Sequence, residues 1–110
     1  MSAGIHESLV YSGTGNLIPV ETISIEDACS EFGCVPHYIK MDIEGAEVAA
    51  VDGSARFLKD HDIHFAIESY HRIGETYTYT LLDSLFPKLG YAVESANYCG
   101  QMFTWAKKGK

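Results

Sequence analysis

The residues of this sequence best suited to chemistry fall in two short runs. In the first, Asp42, Glu44 and Glu47 stand within six positions as Asp-Ile-Glu-Gly-Ala-Glu; in the second, Glu68-Ser69-Tyr70-His71 ends an apolar stretch. A carboxylate or an imidazole within hydrogen-bond reach of a hydroxyl can remove its proton, and imidazole is the side chain that ordinarily titrates nearest neutral pH. Asp42, Glu68 and His71 are therefore the candidate bases. Carboxylate oxygens also suit Mg²⁺, so Asp42, Glu44 and Glu68 could ligate it. That is the weaker reading, and no metal is assigned. The plainer alternative is that Glu44 and Glu47 are solvated residues at a helix start, where negative charge meets the positive end of the helix dipole.

The elements around these runs decide whether they can meet. Tyr38-Ile39-Lys40-Met41 alternates, with Ile39 and Met41 on one face of a strand and Tyr38 and Lys40 on the other. Asp42 then falls at the carboxyl end, the side on which open α/β sheets form their ligand crevices. Gly45 allows a sharp turn into the following helix. Ile63 to Glu68 reads as a second strand, apolar on both faces and so expected to carry helices on both sides. As a parallel neighbour of the first, it would bring Glu68 and His71 beside Asp42.

The remaining elements are read from periodicity and punctuation. Glu7 to Ser12 and Leu17 to Ile23 form a hairpin around Gly13-Thr14-Gly15-Asn16, with Pro19 pointing to an edge strand. This Gly-x-Gly does not open a helix, which argues against a nucleotide loop. Ser24 and Asp27 approximate a capping box for a helix Ile25 to Phe32, with Ile25, Ala28, Cys29 and Phe32 on one stripe and Gly33 as the stop. Helices follow from Ala46 to Val51 and from Ala55 to Lys59, the second burying Phe57 and Leu58. A longer one runs from Thr76 to Leu89, where Pro87 predicts a kink or restart near Ser84. Tyr91 to Ala96 and Gln101 to Lys107 form a C-terminal antiparallel hairpin around residues 97–100, with Trp105 assigned to the core. The expected organisation is one domain over 1–110, a hairpin at 1–23 leading into an α/β core at 24–110.

Composition narrows the function classes. A hydrophobic fraction of 46% is that of a globular chain, and a net charge of −7 without a Lys/Arg cluster disfavours nucleic acid and anionic membrane as partners. Lys107 to Lys110 reads as a basic tail. Nothing resembles a secretory leader or a run of eighteen apolar residues, so the expected location is cytoplasmic. Cys29, Cys34 and Cys99 are expected as free thiols, and His61-x-x-His64 is not expected to bind metal.

Taken together, VETISIEDAC, IKMDIEGAE, FLKDHDIHFAIESYH and GYAVESANYCGQMFTWAKK resemble the second half of an FkbM-family S-adenosylmethionine-dependent methyltransferase, from about Val20 to Lys108. The resemblance implies an α/β, partial Rossmann-like (class I methyltransferase) sheet with parallel central strands, a C-terminal antiparallel hairpin and helices on the faces. It implies S-adenosylmethionine as cofactor, with Asp42, Ile43 and Glu44 beside it, and methyl transfer to a hydroxyl aided by Asp42, Glu68 and His71. The family's glycine-rich cofactor loop has no counterpart in this stretch, so the expectation is a fragment, inactive alone, binding the cofactor no tighter than about millimolar. The strand carrying Ile39 and Met41 would then have an open edge. A homodimer, a complementing chain or the N-terminal hairpin could cover it. The alternative is a non-catalytic interaction or dimerisation module that keeps the sheet without the cofactor. The small-molecule acceptor is not readable.

Overall fold

In the computed structural model, which describes residues 5–11 and 17–109, contacts gather into two units, Met1–Cys34 and Val35–Lys110. In the first unit, β1 (Ile5–Tyr11) and β2 (Leu17–Ile23) pair antiparallel from Ile5↔Ile23 to Tyr11↔Leu17. Pro19 lies opposite Leu9 in a two-stranded sheet, where among the described residues each strand has one unpaired edge. The expected turn at 13–16 lies outside the described residues.

Helix α1 (Ile25–Phe32) has the predicted bounds because both its caps are encoded. Ser24 Oγ accepts the Asp27 N–H at 3.0 Å and donates to the Asp27 carboxylate at 2.9 Å, so the box closes on the serine hydroxyl. Gly33, at φ 70°, supplies the left-handed residue that ends the helix. The expected apolar stripe is shorter than its sequence: Cys29 is buried, whereas Phe32, the last helical residue, is 77% exposed.

The second unit begins with β3 (Tyr38–Met41), followed by helices α2 (Glu47–Gly53) and α3 (Ala55–Lys59) and by β4 (His64–Glu68). Next come β5 (Arg72–Ile73) and β6 (Thr76–Tyr77), a minimal hairpin around Gly74, then α4 (Thr78–Lys88), β7 (Tyr91–Tyr98) and β8 (Gln101–Lys108). The main sheet has the order β3-β4-β8-β7. Its β3–β4 pair is parallel from Tyr38↔His64 to Met41↔Ile67, and β8 runs antiparallel to both β4 and β7. This is the expected mixed α/β sheet: parallel strands beside a C-terminal hairpin. Among the described residues β3 has β4 as its sole sheet partner.

The core lies on one face of this sheet. Met41, Phe65, Ile67 and Ala106 are buried with Val51 and Leu58 of the short helices and Leu82 and Phe86 of α4. The rings of Phe65, Phe86 and Tyr91 close a triangle of 5.2, 5.6 and 6.0 Å in the offset and edge geometries aromatic pairs prefer. The expectation of helices on both sides of β4 is corrected here. Its other face carries exposed His64 between Tyr38, 59% exposed, and Trp105, 39% exposed. Trp105 is therefore not core, and its indole does not need a buried acceptor.

Three local expectations also change. Helix α4 starts at Thr78 because residues 72–77 turn back on themselves, which leaves Tyr77 exposed. It runs unbroken to Lys88, with no restart near Ser84: Pro87 sits in the last turn, where a lost N–H bond and a clash with the Asp83 carbonyl disturb least. Strands β7 and β8 extend to Tyr98↔Gln101, joined by Cys99 and Gly100 at φ 55° and 89°, the two left-handed positions of a type I′ turn. The thiols of Cys29, Cys34 and Cys99 are free.

The basic end of the chain is more than a tail. Lys108 Nζ donates to the carbonyls of Leu58 at 3.0 Å, Leu89 at 3.3 Å and Lys59, tying strand β8 to the carboxyl ends of α3 and α4, where a cation also meets the negative dipole ends. Tyr91 anchors the start of β7 by donating to the His61 carbonyl at 2.6 Å and accepting the Ile63 N–H at 3.3 Å. Tyr91→Phe is expected to leave both backbone groups unpaired and lower stability by about 1–3 kcal/mol in urea unfolding, with an unchanged slope. Among the described residues no helix is long and apolar enough to cross a membrane.

Candidate functional site

Strand β3 ends at Met41, and residues 43–46 form a turn, closed by the Ala46 N–H on the Ile43 carbonyl at 3.2 Å, before the helix begins at Glu47. Glu44 has φ 59° and Gly45 φ 98°, two successive left-handed residues of which only the glycine adopts that conformation without strain. Gly45 is required for its backbone rather than for space: a Cβ there would meet His71 Cβ at an ordinary 3.7 Å.

The residue that holds the turn is Glu47. Far from being a solvated helix-start residue, it is 0% exposed. Its Oε2 accepts the Ile43 N–H at 2.8 Å and its Oε1 the Gly45 N–H at 3.0 Å, bracketing strained Glu44 from both sides. A buried carboxylate that accepts two backbone N–H groups is a strong, charge-assisted clamp. Sequence reading places Glu47 in the motif but misses this role, since a glutamate in the first helical turn is ordinarily read as exposed.

The second run is pinned just as firmly. Ser69, fully buried, donates its N–H to Met102 at 3.1 Å and accepts the Tyr79 N–H at 3.1 Å. Its hydroxyl meets that of Thr104 at 2.7 Å, which meets Ser95 at 2.7 Å, which donates to Asp83 at 2.6 Å. The His71 carbonyl accepts the N–H and the hydroxyl of Thr78 at 2.7 and 2.9 Å, fixing the histidine at the start of α4. Its ring stacks on Tyr70 with centroids 4.2 Å apart.

These two anchored runs meet because β3 and β4 are parallel and in register. One ligand atom each from Asp42, Glu47 and His71 lies within 4.8 Å of the others. His71 Nε2 is 3.6 Å from Glu44 Oε1, and Nδ1 is 4.0 Å from Glu47 Oε2. Asp42, Ile43 and Glu44 are exposed at the rim, while the His71 side chain is 16% exposed. Glu68 is set apart from this cluster: its carboxylate reaches Lys40 at 3.6 Å on the open face of the sheet. Of the two histidines in His61-x-x-His64, His61 is engaged by Phe57, with Nδ1 2.8 Å from its carbonyl, and His64 pairs loosely with Asp62 at 3.9 Å.

Tyr70, absent from the sequence-derived candidates, reports the charge of this rim. Partial burial, then the carboxylates of Asp42, Glu68, Glu44 and Glu47, raise its phenol above the ordinary tyrosine range. Because the folded value lies above the unfolded one, near 10, the folded state keeps its proton where the unfolded chain has lost it. Stability from this group is therefore complete below about pH 10 and is lost as pH rises through the folded value. In spectrophotometric titration of the folded chain, the component lost in Tyr70→Phe is expected to titrate above the ordinary tyrosine value; a lost component at the ordinary value would contradict it.

A family model for the FkbM methyltransferase domain matches residues 2–93. No curated protein matches the sequence significantly. Among solved structures, the chain is similar to a methyltransferase FkbM from Methylobacillus flagellatus KT, with a TM-score of 0.55 and 24% identity over 94% of this chain and 26% of that one. At that identity the likeness speaks to the fold, and this chain spans about a quarter of the length of the solved protein. With the family model covering most of its residues, the chain belongs to the FkbM methyltransferase domain family.

Proposed function

We propose that the chain carries the acceptor-facing rim of an S-adenosylmethionine-dependent methyltransferase and transfers a methyl group to a hydroxyl once a complementing segment supplies the rest of the cofactor pocket. The observation that supports this most strongly is the convergence of Asp42, Glu44, Glu47 and His71 at the carboxyl ends of two parallel strands. The donor would bring an activated methyl on a cationic sulfonium, and the negative rim of Asp42 and Glu44 fits a cation. The protein's own part is alignment and proton removal. Asp42, Ile43 and Glu44 line the donor side; His71 takes the acceptor proton, with Asp42 beside it. Glu68, paired with Lys40 on the other face of the sheet, contributes only its charge near Tyr70.

The complementing segment belongs on β3, whose outer edge has no strand partner among the described residues. It could be a separate polypeptide or more of the same one; a second copy of this chain would instead give a symmetric pair. The test is to co-express the chain with a segment bearing a glycine-rich cofactor loop and follow label transfer from methyl-labelled donor to hydroxyl compounds. Transfer is expected only when both parts are present, and His71→Gln is expected to slow it by about 10²-fold or more. If the two parts associate but no transfer occurs, the second reading holds: a non-catalytic binding module. The open sheet face with Tyr38 and Trp105 exposed beside a groove favours that reading.

A further inference from the structure

His71 presents two ring nitrogens to two carboxylates, and a neutral ring has one proton to place between them. Nδ1 is buried without a hydrogen-bond partner, 4.0 Å from Glu47 Oε2, while Nε2 points to Glu44 Oε1 at 3.6 Å. The two carboxylates differ in kind. Glu47 is fully buried and immobilised by two backbone N–H bonds; Glu44 has a side chain 82% exposed. Asp42, the third acid within reach, is exposed as well.

Resting on the methyltransferase reading, we infer that Glu47 is a positioning residue: it holds His71 in the Nδ1–H tautomer and so leaves the Nε2 lone pair at the rim, free to accept a proton from the acceptor hydroxyl. Attraction between an N–H and a carboxylate is strongest where water is excluded, which is the Glu47 side. On the Glu44 side water screens the charge and can itself donate to a bare Nε2. The opposite tautomer would leave a lone pair on Nδ1 facing a buried carboxylate, with no donor between them. Each carboxylate oxygen has two acceptor sites, so Glu47 has room for a third donor beyond Ile43 and Gly45. Closing from 4.0 Å to ordinary hydrogen-bond length needs a ring shift of roughly 1 Å. One side chain thus fixes both the turn that carries Asp42 and Glu44 and the tautomer of the base opposite them.

The test is long-range ¹H–¹⁵N NMR of the ¹⁵N-histidine-labelled full chain at a pH where the rings are neutral, with His71 assigned by its loss in His71→Gln. The proton is expected on Nδ1. It is expected to stay there in Glu44→Gln, and in Glu47→Gln the ring is expected to move toward the Nε2–H form that a free histidine prefers in water. A wild-type ring protonated on Nε2, or a tautomer that switches in Glu44→Gln, would overturn the proposal even if Glu47→Gln fails to fold. Because the tautomer is read without methyl transfer, an Nδ1–H ring in a chain that methylates nothing after complementation refutes the base role of His71 alone and leaves the Glu47 contact standing.

Discussion

Replacing Glu47 by alanine is expected to lower the stability of the chain by about 3 kcal/mol, more than a surface glutamate would, because it leaves two backbone N–H groups without their buried acceptor. The Ile43 and Gly45 amides bond to the two oxygens of this one carboxylate, and Glu44 between them sits at φ 59°, a conformation an ordinary residue keeps only when its surroundings enforce it. Removing the clamp therefore costs the hydrogen bonds and releases the turn. For a chain of this size such a loss corresponds to a fall in Tm of more than about 10 °C. Calorimetry on Glu47→Ala and Glu44→Ala side by side is the discriminating measurement. The exposed Glu44 should shift Tm little, and equal shifts for the two would show that Glu47 does not act as the clamp.

The other large effect is expected at Phe65. This side chain is 1% exposed and forms one corner of the triangle with Phe86 and Tyr91, on the strand that joins the parallel and antiparallel parts of the sheet. Phe65→Ala removes the buried ring and leaves a cavity that β4, paired on both sides, cannot collapse into, for an expected loss of about 3–5 kcal/mol in urea unfolding. Trp105→Ala, one strand away on the open face, is expected to cost far less despite removing a larger group. A Trp105 effect equal to that of Phe65 would mean that the open face is covered in solution.

That contrast also marks where the sequence was legible. Helix α1 could be bounded to the residue because Ser24 and Gly33 act locally, through a side-chain cap and a left-handed stop. Strand β4 was legible as an apolar run with a polar break at its end, and its parallel pairing with β3 was what the family resemblance implied. What alternation cannot report is whether anything covers the second face, and so Trp105 and the outer side of β4 were misplaced. Thr76 and Tyr77 read as the start of α4 because Tyr77 continues the apolar spacing of that helix, while the Gly74 turn that pairs them with Arg72 and Ile73 is a single-residue signal. At the site, Asp42, Glu44 and His71 were legible from type and position and do converge, whereas Glu68 turns to Lys40. Glu47 was not, since its burial comes from its bonds to a turn whose shape no composition or periodicity encodes.

On the proposed function, the carboxyl ends of β3 and β4 form the surface that meets the methyl donor. Titrating the ¹⁵N-labelled chain with S-adenosylmethionine and mapping amide shifts tests it directly. The expected result is weak, fast-exchanging binding, no tighter than about millimolar, with shifts centred on Asp42 to Gly45 and Ser69 to His71. Shifts centred instead on the open face around Glu94 and Trp105, with the Asp42 to Gly45 amides unmoved at the highest donor concentration, would contradict it.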